Sequence, residues 1–110
     1  LRTIKPWDKN LIVKSVEKTG RLMVLDTGWL HGGFSAEIAA YIASRLHNKL
    51  NSPILRVGLP SSPAPCARTL EERYYPNYKT ISAGIDVVMG NKKLEGMDIC
   101  TQKVPGIISY

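Results

Sequence analysis

The residues best placed to do chemistry gather in a glycine-rich turn, Gly28-Trp29-Leu30-His31-Gly32-Gly33, between an apolar run and a helix-forming one. Free backbone N–H groups and the positive end of a helix dipole make such a turn receptive to phosphate or carboxylate. His31 within it could accept a proton or hydrogen-bond a ligand. The spacing, however, fits neither G-x-G-x-x-G nor G-x-x-x-x-G-K-[ST]. The plainer expectation is a tight turn that permits close helix–strand packing. An anion or interface loop formed by Gly28, Trp29, His31, Gly32 and Gly33 is the competing one.

A second constellation is Glu71-Glu72-Arg73-Tyr74-Tyr75-Pro76. Adjacent tyrosines offer large contact area at low entropic cost, so Arg73, Tyr74 and Tyr75 are candidates for a partner interface. They serve equally to pack the preceding proline-rich loop onto the domain's own core. Ser61, Ser62 and Cys66 lie in that loop without a G-x-S-x-G elbow or a Cys–His signature. His47, late in a helix, suits the negative end of the dipole. Cys66 and Cys100 show no metal-ligand or redox spacing, and zinc is not expected. Two isolated thiols fit a reducing compartment such as cytoplasm, with a disulfide between them left open.

These groups need elements to hold them. Asp8 can cap a short amphipathic helix that carries Leu11, Ile12, Ser15 and Val16 on its inner face and ends at Thr19-Gly20. Arg21 to Asp26 lacks polar alternation, the pattern of a strand covered on both faces. Ser35 to Leu50 is helical, with Phe34, Ile38, Tyr41, Ile42, Leu46 and Leu50 as its stripe, and Pro53 stops it. Ile54 to Leu59 is a second strand. Strand, helix, strand makes one right-handed βαβ unit. Prolines stiffen the loop over 60–68. Thr69-Leu70-Glu71-Glu72 has capping-box spacing. Asn77 can start a last helix through Met89, with Tyr78, Ile81, Ile85 and Val88 inward. Residues 91–110 lack periodicity and are expected to be an irregular tail or docking segment.

Composition bounds the rest. With 110 residues, 44% hydrophobic and 22% charged, the chain is one ordinary domain and not a disordered or fibrous one. No apolar run reaches the roughly 18 residues a membrane span needs, and no signal-peptide pattern opens the chain. The net charge of +6 is uneven: residues 1–58 hold nine basic and four acidic side chains. The basic residues stand singly, with no nucleic-acid-binding motif among them. The plainer reading is a solvated basic face, with an anionic ligand or an acidic partner protein as the alternatives; neither nucleic acid nor membrane is expected.

Four segments occur in order: Leu1-Arg2-Thr3-Ile4-Lys5-Pro6-Trp7-Asp8, then Lys18-Thr19-Gly20-Arg21-Leu22, then Gly32-Gly33-Phe34 with Ala36-Glu37-Ile38-Ala39. Last come Pro63-Ala64-Pro65, Leu70-Glu71 and Tyr75-Pro76. Over roughly residues 1–90 the chain resembles the transketolase C-terminal-like domain of the beta subunit of thiamine-diphosphate-dependent 2-oxoacid dehydrogenases, pyruvate dehydrogenase type. Asp26-Thr27 stands where that family commonly carries acidic residues before Gly-Trp, and the tail from Lys92 has no counterpart.

The resemblance implies an α/β fold, three-layer α/β/α with a mostly parallel sheet. It also implies that residues 1–90 form a domain incomplete at its N-terminus, lacking the first strand–helix–strand unit. One sheet edge would then stand unpaired unless the tail or another copy covers it. In the parent enzyme, thiamine diphosphate and magnesium sit between the alpha subunit and the beta subunit's N-terminal domain. The Gly-Asp-Gly motif that holds them is absent here, so neither a catalytic residue nor a cofactor is expected in this chain alone. Its implied work is assembly, with a further copy or the alpha subunit as partner, and docking of the acyltransferase component. The compartment would be cytoplasm, or mitochondrial matrix or plastid in a eukaryote. The alternatives are the related domain of a deoxyxylulose-phosphate synthase or transketolase, suggested by Val57-Gly58-Leu59-Pro60, and a free-standing anion- or protein-binding module.

Overall fold

Asp8 and Gly20 bracket the first helix. In the computed structural model, which describes residues 1–91, α1 runs Lys9–Thr19. Asp8 Oδ1 accepts the Leu11 N–H at 2.9 Å. Gly20 closes the helix in the left-handed region at φ 65°, a conformation that costs a residue without Cβ little. Then come β1 (Met23–Trp29), α2 (Phe34–Leu46), a 3₁₀ turn at His47–Lys49, β2 (Leu55–Leu59), α3 (Arg68–Tyr74) and α4 (Tyr78–Met89). Asn77 caps α4 by accepting the N–H groups of Lys79 and Thr80.

β1 and β2 pair in parallel, with Met23 opposite Leu55, Val24 opposite Arg56 and Leu25 opposite Val57. Successive side chains point to opposite faces of a sheet, and the packing follows this alternation. On one face Leu22 and Ile54 join Val16, Ile42 and Leu46 beneath α1 and α2. On the other, Met23, Leu55 and Val57 meet Val88 of α4. Helices therefore cover both faces of a parallel sheet, which has two strands among the described residues.

Several local expectations need correction. In α1 the buried side is Val16 with Ile12 and Val13, while Leu11 and Ser15 are exposed. The helix faces the core through Ile12, Val13 and Val16, which turns Leu11 to solvent. β1 is not covered on both faces: Leu25 is 50% exposed. α4 packs on this strand at Met23 and lies mainly over β2. α2 ends at Leu46, and Leu50 reaches the core from beyond the 3₁₀ turn. Thr69 does not cap α3. The helix begins one residue earlier, and the Ala67 carbonyl accepts the Leu70 and Glu71 N–H groups.

In α4, Tyr78 and Ile85 face outward, and Gly84, Val87 and Val88 are buried. Gly84 explains the rotation. A Cβ there would lie 3.0 Å from Met23 Sδ and 3.1 Å from Leu55 Cδ2, so the helix is seated on the side that has no side chain at all. The tail expected from residue 91 onward lies, beyond Asn91, outside the described residues.

Candidate functional site

The turn after β1 is built on an irregularity in the ladder. From Leu25 to Trp29 the first strand takes four steps, while its partner takes two from Val57 to Leu59. The surplus sits at Asp26-Thr27-Gly28, a bulge that bends the strand end toward α2. There the Asp26 side chain folds back. Its Oδ1 accepts the Gly28 N–H at 2.9 Å, and its Oδ2 accepts the Ser35 N–H at 3.3 Å. Gly33, the N-cap of α2, has no side chain to do this. Asp26 supplies a cap from nine residues away.

The glycines serve proximity. A Cβ on Gly33 would overlap the Trp29 carbonyl oxygen, and one on Gly58 would lie 2.9 Å from the Gly28 carbonyl oxygen. Gly32 sits at φ 71°. The turn is then tied to β2: the Leu30 N–H donates to the Leu59 carbonyl at 3.0 Å, and Arg56 Nη1 donates to the Leu30 carbonyl at 2.9 Å.

Chemically, the anion-receptive position at the start of α2 holds the chain's own carboxylate. The amides of Gly28 and Ser35 are engaged, so an external phosphate would compete with Asp26 for these two groups. The adjoining shallow depression, lined by Gly32, Gly33, Phe34, Ala36, Glu37 and Ala40, carries another carboxylate. Trp29 and His31 face solvent, and His31 has no hydrogen-bond or ion-pair partner among the described residues.

The second constellation divides. Tyr74 is buried and its hydroxyl donates to the Ser62 carbonyl at 2.6 Å, so it packs the proline loop onto the domain. Tyr75 is 43% exposed, edge-on to Tyr74 with ring centroids 5.1 Å apart, and Arg73 is exposed. His47 and Ser61 are also exposed, and Cys66 is a free, exposed thiol. Cys100 lies outside the described residues.

Two features escaped sequence reasoning. Asp26 read as the end of a strand, and only its Asp-x-Gly spacing to Gly28 signals a side chain that curls onto the backbone. The other is an aromatic cluster that ties α1 to α2. Trp7 meets Tyr41 edge-on at 5.1 Å and Phe34 at 6.1 Å. Lys9 Nζ lies 4.9 Å from the Tyr41 ring centroid, and the Arg45 guanidinium lies 4.5 Å from it. These residues are far apart in sequence and follow no single period.

Among the described residues no group of three or more His, Cys, Asp or Glu side chains converges as a metal site. With Asp26 on the turn's amides, these residues do not fit magnesium and a diphosphate. No helix among them is long and apolar enough to cross a membrane.

Comparison with known proteins extends this picture. The family described as "Transketolase, C-terminal domain" matches residues 1–81. The beta subunit of the pyruvate dehydrogenase E1 component of Rickettsia bellii is 42% identical over 84 residues, which is 76% of this chain and 26% of that protein. The mitochondrial 2-oxoisovalerate dehydrogenase subunit beta 2 of Arabidopsis thaliana is 41% identical over 81 residues, 74% of this chain and 22% of its own. The acetoin:2,6-dichlorophenolindophenol oxidoreductase subunit beta of Cupriavidus necator is 34% identical over 93 residues, 84% of this chain and 28% of its own. The relatives are beta subunits of dehydrogenases and an oxidoreductase, and the chain spans about a quarter of their length. On its layered parallel architecture and this match together, the chain belongs to the transketolase C-terminal domain family.

Proposed function

We propose that this chain is the C-terminal domain of the beta subunit of a thiamine-diphosphate-dependent 2-oxoacid dehydrogenase of the pyruvate type. Its work is assembly: association with another copy or with an alpha subunit, and docking of the acyltransferase component. Thiamine diphosphate and magnesium belong to other parts of the parent enzyme. The observation that carries this reading is the likeness to beta subunits over three-quarters of the chain, at up to 42% identity. The engagement of the Gly28 and Ser35 amides by Asp26 supports a structural turn over an anion-binding module.

The relatives' names span pyruvate, 2-oxoisovalerate and acetoin, so the test uses all three as substrates. A beta subunit that carries this chain, combined with its alpha subunit, thiamine diphosphate and magnesium, is expected to turn over pyruvate fastest. The 110-residue chain alone is expected to turn over none. Turnover by the chain alone would overturn the assembly reading. Preference for acetoin or for a sugar-phosphate donor would overturn the pyruvate-type assignment.

A further inference from the structure

We propose that the outward face of α1 is a docking surface for an acidic segment of a partner protein. The inference rests on this helix's own geometry and goes beyond the assembly role assigned above. Val16, Ile12 and Val13 turn α1 inward. At 100° per residue the opposite line is Leu11, Lys14 and Lys18, spaced i, i+3, i+7. Leu11 is 62% exposed, and both lysines are exposed. That line carries no acidic residue.

The surrounding charges sharpen the point. Of the four acidic residues among the first 58, three are turned to internal duty. Asp8 accepts the Leu11 N–H, Asp26 accepts those of Gly28 and Ser35, and Glu17 pairs with Lys49 at 2.8 Å. Most basic residues nearby are engaged too. Arg21 Nε donates to the Val88 carbonyl and Arg56 to the Leu30 carbonyl, while Lys9 and Arg45 lie over the Tyr41 ring. Lys14 and Lys18 have no ion pair or hydrogen bond among the described residues. They project positive charge one and two turns beyond an exposed leucine.

Such a face fits a segment with one apolar residue and carboxylates to one side of it. The leucine gains by leaving water, and the charges set orientation and encounter rate. A phosphate backbone would leave Leu11 unmatched, and the line carries no aromatic ring on which a base could stack.

The test titrates the full 110-residue chain, followed by amide NMR, with a short synthetic Glu-rich peptide bearing Leu at helical spacing, and with oligo(dT). The expected result is saturable shifts centred on the outer residues of α1, weakened by added salt. Lys14→Glu with Lys18→Glu is expected to weaken peptide binding about tenfold. Leu11→Ala is expected to weaken it about threefold without altering the salt dependence. Circular dichroism identical to that of the unaltered chain confirms that the fold is retained, and the neutral pair Lys14→Gln with Lys18→Gln repeats the test without charge reversal. Shifts centred elsewhere, affinity untouched by the lysine variants, or tighter binding of oligo(dT) would overturn the proposal.

Discussion

Replacing Asp26 by alanine tests whether one carboxylate holds the turn between β1 and α2. The side chain accepts a 2.9 Å bond from Gly28 and a longer, 3.3 Å bond from Ser35. A hydrogen bond to a charged acceptor contributes about 1.5–3 kcal/mol, and loss of a capping side chain costs about 1 kcal/mol. Asp26 is half-buried and its second bond is long, so both figures fall toward their lower ends. The expected cost of Asp26→Ala is about 2 kcal/mol, or roughly 10 °C in Tm for a domain of this size. Asp26→Asn keeps one acceptor oxygen and gives up the charge at the helix start, for about 1 kcal/mol. Urea unfolding followed by circular dichroism reads both, with an unchanged slope marking a loss confined to the folded state. A cost for alanine below about 0.5 kcal/mol would refute the reasoning. So would a saturable phosphate-induced shift of the amides of residues 28–36 in the unaltered chain, since those amides would then be open to a ligand.

Two further perturbations probe the packing. Gly84→Val pushes branched methyls into Met23 and Leu55 and should cost about 1–3 kcal/mol. Gly84→Ala should be near neutral, because helix propensity gains about 1 kcal/mol while the flexible Met23 sulfur yields; calorimetry separates the two. Tyr74→Phe removes the 2.6 Å bond to the Ser62 carbonyl and should lower stability by about 1 kcal/mol in chemical unfolding. Tyr75→Phe, whose hydroxyl has no partner among the described residues, should change it by less than about 0.5 kcal/mol.

Element order was legible because the punctuation is local. Asp8, Gly20, Asn77 and Gly90 act through backbone groups one to four residues away, and the helix limits they predict are the ones observed. The inward faces were less legible. Periodicity ranks residues by hydrophobicity, so Ile85 and Tyr78 outbid Gly84 on paper. In the fold, close approach to the sheet is decided by the residue that has nothing to place in between. Leu11 fails for a related reason: α1 packs on α2, and the direction of that contact is a tertiary fact. The close approach at Gly33 agrees with the tight-packing expectation for the turn, yet its organising residue was not anticipated. Asp26 reaches nine residues ahead to Ser35, a distance set by a bulge that no pattern of apolar residues encodes.

The two apolar clusters share no residue, and this inequality has a kinetic meaning. On one side Val16, Ile42 and Leu46 gather six further apolar side chains. On the other, Leu55, Val57 and Val88 gather, among the described residues, Met23 alone. The fourth helix packs on that smaller set, and Arg21 Nε donates a 2.9 Å hydrogen bond to its Val88 carbonyl. Partial opening on the α4 side exposes little and leaves the other layer closed, whereas opening the α1–α2 side dismantles the crossover itself. Backbone amides of α4 are thus expected to exchange before those of α2, which exchange only when the whole domain does.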